Sequence, residues 1–297
     1  MKKKLFRIFL VGLLLFGLYE AYTFYGNYKE KQRKASYYEN LVDTSSPTVT
    51  VLRDSILIGY QNEKRTIHIY VPPNYDQDTM IRYPVMYFLD GESSFNDLEN
   101  MGPEWQIDEV INSAFSNGQQ TAIVIGINQA KDRDAEYTPF VNEDNPKAHG
   151  TEFAKWVVTD LKKWVDTNYR TKKDPPSTSI GGISRSGMMA YFMLMAHPNI
   201  FGNAIIQSPS MWVDPDRLFA LNLSNNQLQD KKIFVSVGEY EGGIMLPHAK
   251  KIYDKFKAQG LTEDQLRLEI ILDESHWHVT WRKSFALAYP WLMEYKS

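Results

Sequence analysis

The chain has 297 residues, of which 43% are hydrophobic and 23% charged, with a formal net charge of -3. That length suits one large α/β domain with a full core, and the nearly balanced charge gives no reason to expect nucleic acid or an acidic partner. Cysteine is absent, which excludes a disulfide framework, a thiolate metal site and a cysteine nucleophile.

Met1-Lys2-Lys3-Lys4 precedes an apolar run from Leu5 to Tyr25, and Lys29, Lys31, Arg33 and Lys34 follow it. The run is close to the ~20 residues that cross a bilayer, with Tyr19, Tyr22 and Tyr25 spaced for the interface. Bulky aromatic residues after the apolar core make a poor signal-cleavage site. Residues 1–25 are therefore expected to be an uncleaved single-pass membrane anchor in the lipid bilayer. Its lysines would hold the N-terminus in the cytoplasm. A cleaved signal segment, leaving a secreted protein, is the alternative, and either way the remainder lies outside the cytoplasm. Residues 26–47 read as a polar linker and residues 48–297 as the catalytic domain.

From Val49 the pattern is β-rich: Val49 to Leu52, Ile56 to Tyr60, then Thr66 to Val71, ended by Pro72-Pro73-Asn74-Tyr75. Tyr83 to Leu89 is a continuous apolar run of the kind buried on both faces of a sheet, and it stops at Asp90-Gly91. Strands and helices then alternate: helix over Trp105 to Phe115, strand over Thr121 to Ile127, amphipathic helix over Glu152 to Tyr169. Strand Thr178 to Ile183 leads through a small-residue turn into an apolar helical run, Met188 to Ala196. Strands follow at Ala204 to Ile206, Ile233 to Val237 and Leu266 to Leu272, with helices at Lys250 to Gln259 and Trp281 to Glu294. This alternation predicts a mostly parallel sheet with helices on both faces, led in by an antiparallel section.

Ligands bind beyond the carboxyl ends of strands in such sheets. Ser184, in Gly182-Ile183-Ser184-Arg185-Ser186-Gly187, sits at one of those ends, where an α/β-hydrolase presents its nucleophile. Gly182 supplies the glycine two residues before the serine. Ser186 stands where a second glycine is usual, with Gly187 one place further on. A serine hydroxyl needs a base, usually a histidine held by a carboxylate. Of six histidines, His68, His149, His197 and His248 fall in structural or solvated positions. His276 and His278 share the loop after the last strand, where the base belongs, and His278 is the rival. Glu239 and Glu241 follow the preceding strand and are both candidates for the acid. The order serine, acid, histidine is that of α/β-hydrolases. Oxyanion donors are expected from the backbone N–H groups of Arg185 and Glu92, the latter in the loop Asp90-Gly91-Glu92-Ser93.

Between Ser55 and Trp291 the sequence resembles the esterase D and enterochelin-esterase group of α/β-hydrolases. The resemblance is carried by Tyr70-Val71-Pro72-Pro73-Asn74-Tyr75, by Tyr83-Pro84-Val85 with Asp90-Gly91-Glu92, and by Ile125-Gly126-Ile127-Asn128 with Arg133, Glu136-Tyr137 and Pro139. It continues through His197 to Gly202, Gln207-Ser208-Pro209-Ser210-Met211-Trp212, Glu274-Ser275-His276 and Trp281-Arg282. It implies an α/β-hydrolase fold and aligns the family carboxylate with Glu241. No metal or organic cofactor is implied.

The resulting expectation is a serine ester hydrolase facing outward, acting on a small-molecule ester. Trp105, Trp212 and Trp277 would line a pocket for an aromatic acyl group such as a catecholate or cinnamate, as in a siderophore-type ester. The side chain of Arg185 would be available to a polar or anionic acyl group. Two alternatives remain: a cell-envelope acyltransferase using the same Ser–His site, and a non-catalytic surface protein that keeps the fold.

Overall fold

Every residue of the central strands, apolar or small and polar, is buried, so each strand is covered on both faces. Eight strands form one sheet in the order β1-β2-β4-β3-β5-β6-β7-β8. They are β1 (Val49–Ile58), β2 (Glu63–Tyr70), β3 (Val85–Leu89), β4 (Ile123–Ile127), β5 (Thr178–Ile183), β6 (Asn203–Gln207), β7 (Lys232–Gly238) and β8 (Leu266–Ile271). The β1–β2 and β2–β4 pairs are antiparallel, and every later pair is parallel. This computed structural model describes residues 28–99 and 102–294, and before residue 28 only positions 12, 16–18, 21, 24 and 25.

The two-residue period of a strand splits the core in two. Val85, Tyr87 and Leu89 of β3, with Ile123, Ile125 and Ile127 of β4, face one side. There they pack among residues from the helical run 150–168 and the helices Arg185–Ala196 and Met245–Ala258. Met86, Phe88 and Val124 face the other side, toward the helices Ile107–Ser116 and His278–Met293. The helix Arg185–Ala196 is buried continuously from Ser186 to Met195, as an apolar sequence without a polar stripe requires. The result is a mixed sheet between two helical layers, an α/β-hydrolase-like fold.

Two expected strands, Val49 to Leu52 and Ile56 to Tyr60, are one strand. The register shifts between Leu52 and Ile56, and Asp54 takes a left-handed conformation with φ 42° at this bulge. The backbone N–H of Asp54 donates to Thr66 Oγ1 at 3.0 Å, so the chain kinks without leaving the sheet. Three short helices, Arg133–Glu136, Pro215–Ala220 and Asn225–Leu228, lie in segments with no helical period long enough to read.

The anchor expected over residues 1–25 falls mostly outside the described residues. Among those described, no helix is long and apolar enough to cross a membrane. Residues 28–38, within the expected polar linker, form a helix whose Arg33 and Glu30 reach the loop at 274–275.

Candidate active site

Ser184 lies between the end of β5 and the helix Arg185–Ala196, with φ 58° and ψ -119°. A non-glycine residue held there is strained, and the surrounding backbone must compel it. Close packing does so. A Cβ on Gly182 would stand 2.3 Å from the carbonyl oxygen of Ser186, and one on Gly187 would stand 2.6 Å from that of Gln207. The N–H of Ser184 donates to the Gln207 carbonyl at 2.9 Å, and the Ser184 carbonyl accepts from the N–H of Ser210 at 2.9 Å. Ser186 occupies the usual glycine position without loosening this turn. Its hydroxyl is fully buried, accepts from the N–H of Ile183 at 2.8 Å and donates to Asp90 Oδ2 at 2.6 Å.

The Ser184 hydroxyl points at two neighbours. His276 Nε2 is 3.1 Å from Ser184 Oγ, and Ser210 Oγ is 3.2 Å away. The other ring nitrogen of His276, Nδ1, is 2.8 Å from Glu241 Oε2. The Glu241 side chain is fully buried, and its second oxygen, Oε1, accepts from the N–H of Gly238 at 2.7 Å and from Ser208 Oγ at 2.5 Å. Ser208 Oγ in turn accepts from Trp281 Nε1 at 3.0 Å. With Oε1 committed, Oε2 is left for the imidazole. With Nδ1–H donating to Glu241, Nε2 is left to accept a hydrogen bond from the Ser184 hydroxyl. Glu239 points elsewhere, accepting from the N–H of Asp273 at 3.0 Å.

His278, the rival histidine, shares a pocket with Ser184 but is absent from this hydrogen-bond line. Burial, and then the nearby Arg282, push its pKa down to about 4, so it is neutral at ordinary pH. Its edge meets Trp281, ring centroids 5.3 Å apart. His68 lies buried in β2, and His149 and His197 flank helix ends; His248 lies in the first turn of the helix Met245–Ala258.

Beside Ser184 is a pocket of about 140 Å³, walled by Trp105, Trp281, Glu92 and Arg133. A roomier cavity of about 360 Å³ opens at the opposite edge of the sheet, beside Asn203, Lys232 and Trp291, remote from these groups. Asp90 anchors the near pocket. Its carboxylate takes a fork from Arg133, Nε at 2.7 Å and Nη2 at 2.6 Å, besides the hydroxyl of Ser186. The Glu92 carboxyl is raised to about 7, by burial first and then by the charge of Asp90. It accepts from the N–H of Gln129 at 3.2 Å and also bends onto its own backbone N–H.

Other expected binders are placed differently. The Arg185 side chain is engaged, with Nε 2.7 Å from Asp134 Oδ1 and Nη1 donating to Thr138 Oγ1 at 2.8 Å. Trp212 is half-exposed near that guanidinium. Trp277 is buried and donates from Nε1 to Glu274 at 2.9 Å, so of the three expected tryptophans only Trp105 lines the pocket. Ser208, Ser210, Trp281 and Arg133 also belong to the site, and residue type alone does not mark them. For Ser208 and Ser210 a signal existed: they follow β6 directly, at the same carboxyl edge of the sheet as Ser184.

The family model "Putative esterase" matches residues 59–292. The chain belongs to this esterase family. It is a carboxylic ester hydrolase. The esterase is 27% identical to YbbA of Bacillus subtilis (strain 168) over 242 residues, covering 77% of this chain and 92% of YbbA. To the ferri-bacillibactin esterase BesA of the same organism it is 24% identical over 257 residues, covering 75% of this chain and 83% of BesA. Its fold is similar to the crystal structure of the BES protein from Bacillus cereus, with a TM-score of 0.67 and 19% identity over 86% of this chain and 98% of that one.

Proposed function

We propose that this esterase is a serine hydrolase with Ser184 as nucleophile, His276 as general base and Glu241 as the carboxylate that orients it. The observation that carries this reading is the unbroken line from Glu241 Oε2 through His276 to Ser184 Oγ, at 2.8 and 3.1 Å. Ser184 Oγ attacks the ester carbonyl while His276 Nε2 takes its proton. The carbonyl electrons move to the oxygen, which the backbone N–H groups of Arg185 and Glu92 would receive. Arg185 opens a twelve-residue helix, whose amino end favours negative charge. On collapse, His276 returns the proton to the departing alkoxide. Water then attacks the acyl-serine, with His276 as base again, and serine and acid are released.

For substrate we favour an ester with an aromatic acyl group, of siderophore type. Trp105 and Trp281, ring centroids 6.5 Å apart and edge to face, offer apolar walls beside Ser184, while Glu92 and Arg133 offer polar partners to ring hydroxyls. Likeness to the ferri-bacillibactin esterase supports the same class. The lysine-flanked apolar run at the N-terminus supports action outside the cytoplasm from a membrane anchor.

The test is hydrolysis of a panel of p-nitrophenyl and catechol esters by the full chain, with products analysed in the presence and absence of an added sugar acceptor. Ser184→Ala and His276→Ala should each lower kcat by about a thousandfold or more. His278→Ala should do far less. If His278→Ala is the crippling change, the base is misassigned; acyl transfer to the sugar in place of hydrolysis would replace the esterase reading with an acyltransferase.

A further inference from the structure

The histidine loop is held from outside the catalytic domain. Glu274, two residues before His276, has a fully buried side chain. It accepts a fork from Arg33, Nη1 at 3.1 Å and Nη2 at 2.8 Å, across 241 positions of sequence. Lys283 Nζ at 2.6 Å and Trp277 Nε1 at 2.9 Å complete its partners. Ser275 donates from Oγ to Glu30 Oε1 at 2.7 Å. The Arg33 guanidinium lies 4.7 Å from the centre of the Trp277 ring, Lys34 Nζ lies 5.3 Å from it, and the edge of Tyr37 meets it at 5.3 Å. Residues 274, 275 and 277 are thus each gripped by the 28–38 helix, while His276 between them faces Ser184 and Glu241.

Burial alone would push the Glu274 carboxyl up, but hydrogen bonds, first from Arg33 and then from Lys283 and Trp277, hold it at about 2. Its charge is permanent at working pH, and removing the guanidinium leaves a buried carboxylate with part of its compensation gone. The backbone carbonyl of Glu274 also accepts from the N–H of Tyr240 at 2.8 Å, beside Glu241. A shift of Glu274 therefore reaches the base through the chain and the acid through this bond. Proton transfer over a 3.1 Å contact does not tolerate such a shift, because a misplacement of about 1 Å can cost about a hundredfold in rate.

We propose that the 28–38 helix is a working part of the active site. In it Arg33 is a positioning residue that, through Glu274 and Trp277, keeps His276 between Ser184 and Glu241. The proposal rests on His276 being the base. It makes activity depend on the segment that joins the candidate anchor to the domain, so trimming the chain beyond residue 38 would slow chemistry even though Ser184, His276 and Glu241 are all still present.

The experiment uses the full chain in detergent, with p-nitrophenyl acetate as substrate and amide hydrogen exchange over residues 273–278 as a second readout. Arg33→Ala should lower kcat about ten- to a hundredfold with KM changed less than about twofold, and should speed exchange in that loop while β5 and β6 stay protected. Arg33→Lys should recover part of the rate, since it keeps the charge and loses the fork. The exposed Lys31, on the same helix, serves as control, and Lys31→Ala should match the native chain. Native kcat in Arg33→Ala overturns the proposal, whether or not loop exchange quickens, and so does a loss of protection spread through the whole sheet. A native chain inactive on every ester would count against the esterase reading instead. The exchange comparison would still decide on the helix, with unchanged loop protection in Arg33→Ala overturning it.

Discussion

Ser186 donates its hydroxyl proton to Asp90 at 2.6 Å, joining the turn that carries Ser184 to the end of β3. A glycine at this position, usual in the fold, could not make that bond. Asp90 is held from its other side by Arg133, whose Nη2 also reaches the Ile183 carbonyl at 3.4 Å. The strained turn is thus braced by side chains as well as by close backbone packing.

Ser186→Ala should leave Asp90 short of one buried partner and destabilise the fold by about 1–3 kcal/mol. Chemical denaturation measures this directly. A midpoint equal to that of the native chain would mean the bond adds nothing to the turn.

Glu241→Gln puts an amide where the His276 Nδ1 proton is received and disturbs the tautomer. The expected loss in kcat is about a hundredfold or more, with KM little changed. Glu239→Gln should stay within about twofold of native, because that carboxylate is spent on the N–H of Asp273. Steady-state kinetics on one ester separates the two, and the reverse ranking would reassign the acid.

Glu92 should set an alkaline limit on the rate. Below its raised pKa of about 7 the buried carboxyl is neutral; above it, a negative charge lies against the same backbone N–H expected to receive the oxyanion. The hydrolysis rate should therefore decline as pH rises through about 7, and Glu92→Gln should flatten that limb. A rate profile of the variant that still falls over the same range would separate Glu92 from the effect.

Glu104, Asp108 and Glu109 crowd one another at the start of the helix Ile107–Ser116, and among the described residues none has an ion-pair partner. Glu109 is raised to about 9, by burial first and then by Asp108. The folded state therefore binds this proton more tightly than the unfolded chain does. Its stabilising effect is complete below the ordinary carboxylate range and is lost as pH climbs toward about 9. The Tm should fall between pH 6 and 9, and Glu109→Gln should reduce that fall; equal slopes in both proteins would mean the cluster does not govern it.

Much of the sheet was legible because buried strands and amphipathic helices write their periods locally. Tyr83 to Leu89 and Thr121 to Ile127 could be read as double-sided strands from composition alone. The turn at Ser184 was legible because Gly182, Ser184 and Gly187 are neighbours in sequence, although the carbonyl that Gly187 makes room for comes from Gln207 on β6. The β1 bulge was missed because Arg53-Asp54-Ser55 carries the polar signature of a turn, and only pairing with β2 keeps the chain in the sheet.

The choice between His276 and His278, and between Glu239 and Glu241, lay beyond local pattern. Each pair occupies one short loop, and which member turns inward depends on groups brought from other strands, such as Ser208 after β6 for Glu241 and Ser184 after β5 for His276. The helix 28–38 is the extreme case. Its charged, aromatic composition reads as solvated linker, and its contact with the histidine loop appears only when Arg33 meets Glu274. Residue order carries the element types and the reacting groups, since these follow from short-range sterics and side-chain chemistry. Partner choice among those groups comes from folding, which sets a few hydrogen bonds between residues from tens to more than two hundred positions apart.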